Sequence, residues 1–138
     1  YDEAGEKTIE ITGMLSPQNN VVRVYDNTWG DDIPETPQVA LLRIKGITNE
    51  QRDKVIEYAD SQKGKPYNFT FLLNRVNSYY CSDFVSRAIA HAGINVNYDY
   101  FVTTGSDMIA SPNTYLVYYK EEIHTNEGIK YAIYYLVE

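Results

Sequence analysis

The run Tyr79-Tyr80-Cys81-Ser82-Asp83-Phe84-Val85, continuing through Ser86-Arg87-Ala88-Ile89-Ala90-His91-Ala92 to Gly93, constrains the fold more than any other stretch of the chain. Two tyrosines suited to an extended backbone lead straight into an apolar-periodic segment, and Gly93 stands where a helix would end in a left-handed cap. The chain's only cysteine therefore opens a helix. Backbone N–H groups and the positive end of a helix dipole favour a thiolate there, the species that attacks carbonyl carbon. A second reading stands level with the first. Cys81, Val85, Ala88, Ile89 and Ala92 recur at the spacing of a core-facing stripe, and an unpaired cysteine is among the most often buried residue types. Asp83, in the first turn, is a good helix-start residue whose charge would oppose a thiolate.

A chain of 138 residues holds one domain with a proper core and is too short for two ordinary ones. Its 43% hydrophobic and 22% charged residues are those of a globular protein, and no apolar run approaches the length of a membrane span. A net charge of −7 argues against non-specific nucleic-acid binding and against a patch for anionic membranes. One cysteine cannot close an internal disulfide, which leaves the compartment open. Fourteen tyrosines are the oddest count. Most fall in strand-like stretches, where they serve either sheet packing or a groove that stacks sugar or peptide.

In chain order, residues 1–7 read as a turn followed by a strand over 8–12, as though the sequence began partway through a β-hairpin. Residues 21–25 form a second strand and 38–45 a third, the latter apolar enough to be central. The intervening loop carries Trp29, either a lid over a hydrophobic patch or a substrate contact. Thr48-Asn49-Glu50-Gln51 has the form of a capping box, and Val55, Ile56 and Ala59 follow as the apolar face of a helix ending by Lys63-Gly64. Pro66 then forces a bend. After Gly93, residues 95–107 are irregular, and two tyrosine-rich strands, 114–120 and 129–137, form a hairpin joined near Asn126-Glu127-Gly128. The fold class is α+β, with a mainly antiparallel sheet and the cysteine helix packed on one face.

A nucleophilic cysteine needs a base, normally a histidine, and a group that orients it. His91 lies ten residues along the same helix, about 15 Å from Cys81, and cannot serve. His124, beside a turn, is neither forbidden nor aimed at the cysteine. One cysteine and two scattered histidines offer no metal site, and there is no phosphate-binding glycine loop.

Gly64-Lys65-Pro66-Tyr67-Asn68-Phe69 followed by Tyr80-Cys81-Ser82-Asp83-Phe84-Val85 resembles the paired motifs of the YiiX-like, circularly permuted NlpC-type cysteine hydrolases. These are papain-like enzymes related to the lecithin–retinol acyltransferase group. The likeness runs from about Ile9 to Leu116. It implies a papain-like fold over a single catalytic-type domain, residues 1–138, that lacks its first strand. It implies Cys81 as nucleophile, and a base histidine on a strand ahead of the cysteine. No His-x-[AG]-Ile pattern occurs in the 138 residues, and by the family layout that histidine would precede Tyr1.

Glu10 aligns with the family's third polar group, which orients the imidazole. Its alternation with Ile9 and Ile11 puts its carboxylate on the opposite face from them, which also suits a plain solvent-facing glutamate. Tyr67 resembles the motif tyrosine that helps hold an oxyanion beside the Cys81 amide, or else is a packed turn residue. Tyr80 borders the site because it adjoins the nucleophile. The implied substrate is an amide, a peptide or cell-wall peptide, with no cofactor and no metal, in a secreted or cell-envelope protein of undetermined oligomeric state. The alternatives are an inactive peptide- or glycan-binding relative, a lipid-directed acyl hydrolase or transferase of the same fold, and an enzyme that has recruited His124.

Overall fold

Period-two alternation in Lys7-Thr8-Ile9-Glu10 builds strand β1 (Lys7–Glu10), which pairs antiparallel with β2 (Arg23–Asp26) so that Ile9 opposes Val24 and Glu10 opposes Arg23. A computed structural model describes residues 4–14, 16–28, 38–72, 75–99 and 101–136. Within them follow β3 (Gln38–Ile44), α1 (Asn49–Ser61), α2 (Cys81–His91), α3 (Gly105–Ala110), β4 (Thr114–Thr125) and β5 (Gly128–Tyr135). The strands form two antiparallel sheets, β1-β2 and β3-β4-β5, so the architecture is α+β.

The core gathers Ile11 and Val22 from the β1-β2 ribbon, Ala59 from α1, Tyr79, and Phe84 and Ala88 from α2, with Val55, Tyr58 and Tyr67 around it. Burying one such large side chain contributes about 1.5–3 kcal/mol, so Phe84 ties α2 to the ribbon and to α1. The buried phenol of Tyr79 donates to Gln62 Oε1 at 2.7 Å and lies 2.9 Å from the Tyr58 hydroxyl, which satisfies all three polar groups.

Local chemistry sets the helix ends. Thr48 and Gln51 close the capping box of α1 reciprocally. Gly93, at φ +80°, ends α2 with its N–H on the Ala90 carbonyl, while the Ile94 N–H reaches the Ile89 carbonyl, the paired bonds of a Schellman motif.

Four expectations change. The buried residues of α2, Asp83, Phe84, Ser86, Ala88 and Ile89, lie on more than one side of the helix, and of the anticipated stripe Cys81 and Val85 are exposed while Ala88, Ile89 and Ala92 are buried. Among the described residues β3 pairs on one side only, with β4 in the centre of the three-stranded sheet. Of the apolar run in β3 only Val39 is buried; Ala40 and Leu42 line a cleft with Met108 and Ile109 of α3, Ile44 lines another with Val55 and Ile56 of α1, and Leu41 is exposed. The segment expected to be irregular contains α3, capped by a Thr104–Asp107 box in which aspartate replaces the usual glutamate or glutamine. β4 continues through its charged residues to Thr125, where it pairs with Gly128. Along that hairpin Tyr118 opposes Tyr135 and Tyr119 opposes Tyr134, with ring centroids 5.1 and 6.1 Å apart, the cross-strand aromatic pairing that stabilises a sheet.

Candidate active site

Cys81 is exposed on the first residue of α2. Both α1 and α3 begin with a side chain capping the first turn, but α2 does not: its N-cap is Tyr80, which gives the backbone no side-chain hydrogen bond. The amides at the start of α2 therefore face the same space as the thiol without a capping oxygen between them.

The Pro-Tyr-Asn bend is stapled to this helix start. Tyr67 donates its N–H to the Asn20 carbonyl at 2.8 Å, Asn68 donates to the Tyr79 carbonyl at 2.7 Å, and Tyr79 donates to the Pro66 carbonyl at 3.2 Å. Buried Asn68 completes the turn, its Oδ1 accepting from the Thr70 N–H and hydroxyl and its amide donating to the Leu72 carbonyl at 3.0 Å. These bonds fix the Tyr67 backbone beside the helix start, and its phenol lies near enough to Cys81 for the thiol to act on its ionisation. Burial, and then the Cys81 thiol, pushes the phenol above its ordinary pKa; a tyrosine is in any case protonated at neutral pH, so the hydroxyl remains a donor.

Aromatic rings fix this phenol. Phe69 lies 4.8 Å and Phe71 6.4 Å from the Tyr67 ring, and Phe71 also packs on Tyr80 at 5.4 Å. Phe71 adopts φ +53°, a left-handed conformation unfavourable for a bulky residue and tolerated where surrounding structure imposes it. Across the helix start, Ser82 Oγ donates to the Thr103 carbonyl at 2.6 Å, and the Thr103 N–H donates to the Tyr80 hydroxyl at 3.0 Å. The segment before α3 is thereby pinned beside the thiol.

Asp83 does not present a bare charge to the thiol. It is buried and lies 3.5 Å from Arg87 Nη1; burial raises its pKa and Arg87 pulls the other way. Arg87 itself stacks over the Tyr79 ring at 4.3 Å and donates to the Arg75 carbonyl at 2.8 Å.

Of the residues singled out in the sequence, the structure brings Cys81 and Tyr67 together. Tyr80 lies beneath the site rather than on its surface: at 2% exposure it braces Thr103 and Phe71 and has no face to offer a substrate, which corrects the expectation of a substrate contact. Glu10 turns away from the Ile9 and Ile11 side, accepts a hydrogen bond from Thr8 at 2.6 Å and shares a small cleft with Tyr25, Asp26 and Thr28. Its carboxylate has no hydrogen bond to Cys81. Trp29 lies outside the described residues.

Neither histidine reaches the thiol. His91 packs against the Tyr58 ring at 4.9 Å, and exposed His124 sits 2.6 Å from Glu122 near the tip of the β4-β5 hairpin. No cluster of three or more potential metal ligands occurs among the described residues. Sequence reasoning missed the roles of Asn68, Phe71 and Ser82. An asparagine followed two residues later by threonine was the available signal for the turn at Asn68, whereas nothing local announced the Ser82–Thr103 clamp.

Comparison with protein families gives one match: the model described as permuted papain-like amidase enzyme, YaeF/YiiX, covers residues 29–127. That span takes in Tyr67, Cys81 and the whole of α2, and leaves Glu10 outside it. No curated protein and no solved structure gave a match.

Proposed function

Because the chain belongs to the permuted papain-like amidase family, we propose that it is a cysteine amidase whose nucleophile is Cys81. The observation that carries this reading is the exposed thiol at an uncapped helix start with the Tyr67 phenol beside it. The Cys81 sulfur attacks the amide carbonyl, and the resulting oxyanion is held by the Cys81 N–H and the Tyr67 hydroxyl. The C–N bond then breaks, the amine leaves with a proton, and an acyl thioester remains on the sulfur. Water attacks the thioester, releasing the carboxylic acid and restoring the thiol.

The proton acceptor this scheme requires is a histidine on the strand that the family layout puts ahead of the turn before β1. It takes the thiol proton and passes it to the departing amine. Glu10 is the residue that the resemblance gives the task of fixing the imidazole tautomer. Its position on the face of β1 turned from the core is compatible with a partner on that side.

The substrate proposed is a peptide or cell-wall peptide amide, in a secreted or cell-envelope setting. A specific observation supports a second reading, a lipid-directed acyl hydrolase or transferase. The flanks of the thiol carry exposed apolar side chains, Phe69 and Phe71 beside Tyr67, Leu72 after them and Val85 one turn along α2, where an acyl chain would find contacts. A panel of short peptide amides and N-acyl amides of increasing chain length, scored by the rate of thioester formation on Cys81, separates the two. Peptide amides reacting fastest supports the first reading, and rates that climb with chain length support the second. Binding of peptide or glycan without any acyl-enzyme would leave an inactive binding relative.

A further inference from the structure

We propose that Gly13 is a positioning residue for this site: its bare Cα leaves the room that the Tyr67 ring occupies next to Cys81. This rests on the roles given above to Cys81 and Tyr67 and extends them to a residue outside both sequence motifs.

A Cβ built on Gly13 would lie 2.9 Å from Tyr67 Cε1, 3.0 Å from Tyr67 Cδ1 and 2.9 Å from Phe69 Cε1. Carbon atoms in contact sit about 3.5–4.0 Å apart, so a methyl group there must drive the ring back by several tenths of an ångström. The Gly13 side of the contact is anchored two residues earlier by Ile11, buried in the core, and by the turn in which the Met14 N–H donates to Thr12 Oγ1 at 3.2 Å. Tyr67 cannot retreat as a unit, because its own N–H is bonded to Asn20 and that of Asn68 to Tyr79. The ring must turn instead, and the hydroxyl at its far end travels farther than the atoms that are struck. Phe69 is exposed and can yield; the edge of Tyr67 is the contact that transmits the push.

Gly13 does not occupy the left-handed backbone region, unlike Gly93. Alanine there meets no positive-φ penalty, and the substitution reports chiefly on the ring contact.

The test uses the full chain with tyrosine labelled at Cζ with carbon-13, the Tyr67 signal being assigned by its loss in Tyr67→Phe. In the native chain Cys81→Ala shifts that signal because the thiol acts on the phenol beside it. In a Gly13→Ala background the same substitution leaves it in place; a persisting response overturns the proposal. In parallel, acylation by p-nitrophenyl acetate slows about tenfold or more in Gly13→Ala, the scale on which sub-ångström to ångström misplacement acts. The double variant Gly13→Ala/Tyr67→Phe is no slower than Tyr67→Phe within about twofold. A native rate in Gly13→Ala, or losses that multiply in the double variant, overturns the proposal. If Gly13→Ala lowers the melting temperature, that loss is recovered in a Tyr67→Ala background, and its persistence there again overturns it. Acylation that survives Cys81→Ala while the resonance coupling behaves as expected refutes the amidase reading and leaves the placement of Gly13 standing.

Discussion

Replacing Tyr67 by phenylalanine removes one oxygen from the site and little else. The ring keeps its neighbours Phe69 and Phe71, and the backbone bonds to Asn20 and Tyr79 do not involve the hydroxyl. What disappears is the phenolic hydroxyl near Cys81, whose ionisation the thiol influences. For folding, the loss is one hydroxyl on a half-buried side chain, at most about 0.5–1.5 kcal/mol net. For the reaction, one of two donors to the oxyanion goes, which raises the barrier by about 2.7–4 kcal/mol, or some 10²–10³ in rate. The second effect exceeds the first, so activity and stability should separate. Stopped-flow measurement of Cys81 acylation, beside urea unfolding of the same preparations, reads both. The expected result is a rate loss of about a hundredfold or more with a nearly unchanged unfolding midpoint. A loss below about fivefold in a folded variant would show that Tyr67 is a packed turn residue and not an oxyanion donor.

Two further substitutions probe what holds the site in place. Tyr79→Phe removes a buried hydroxyl and leaves Gln62 Oε1 without that donor, which should lower stability by about 1–3 kcal/mol in denaturant unfolding; an unchanged midpoint would contradict the network. Asp83 is expected to make stability pH-dependent. Burial raises its folded-state pKa above the ordinary 3.8, so the folded chain holds this proton more tightly than the unfolded one. The contribution is fully present below the unfolded value and is lost as pH rises from there through the raised folded value. The stability of the native chain minus that of Asp83→Asn should therefore fall with rising pH across that window, and a difference that rises would refute the assignment.

The α2 start was legible in the sequence because two local signals agree, strand-suited tyrosines before the cysteine and a glycine after the helix. Which side of α2 is buried was not. The stripe through Cys81 and Val85 and the one through Phe84 share Ala88, Ile89 and Ala92, so periodicity alone could not choose between them. The choice came from tertiary packing of Phe84 against Ile11 and Tyr79, and it is what leaves the thiol in the open. β3 was misjudged because an apolar run does not fix a strand's position in its sheet: only Val39 of the run is buried, and Leu41 is exposed. Tyr80 could be placed next to the cysteine from the sequence, but the inward turn of its side chain depends on Thr103, more than twenty residues away. α3 was hidden by Gly105, Ser106 and Asp107, which favour turns, and emerges through the Thr104–Asp107 cap.

The most direct measurement is intact-protein mass spectrometry of the chain, with any segment that precedes Tyr1 in the complete gene product, quenched during turnover of an amide or activated ester. A covalent acyl adduct should accumulate that hydroxylamine removes, that peptide mapping places on Cys81, and that vanishes in Cys81→Ala. Turnover without an adduct on that sulfur, or turnover retained by Cys81→Ala, would contradict it.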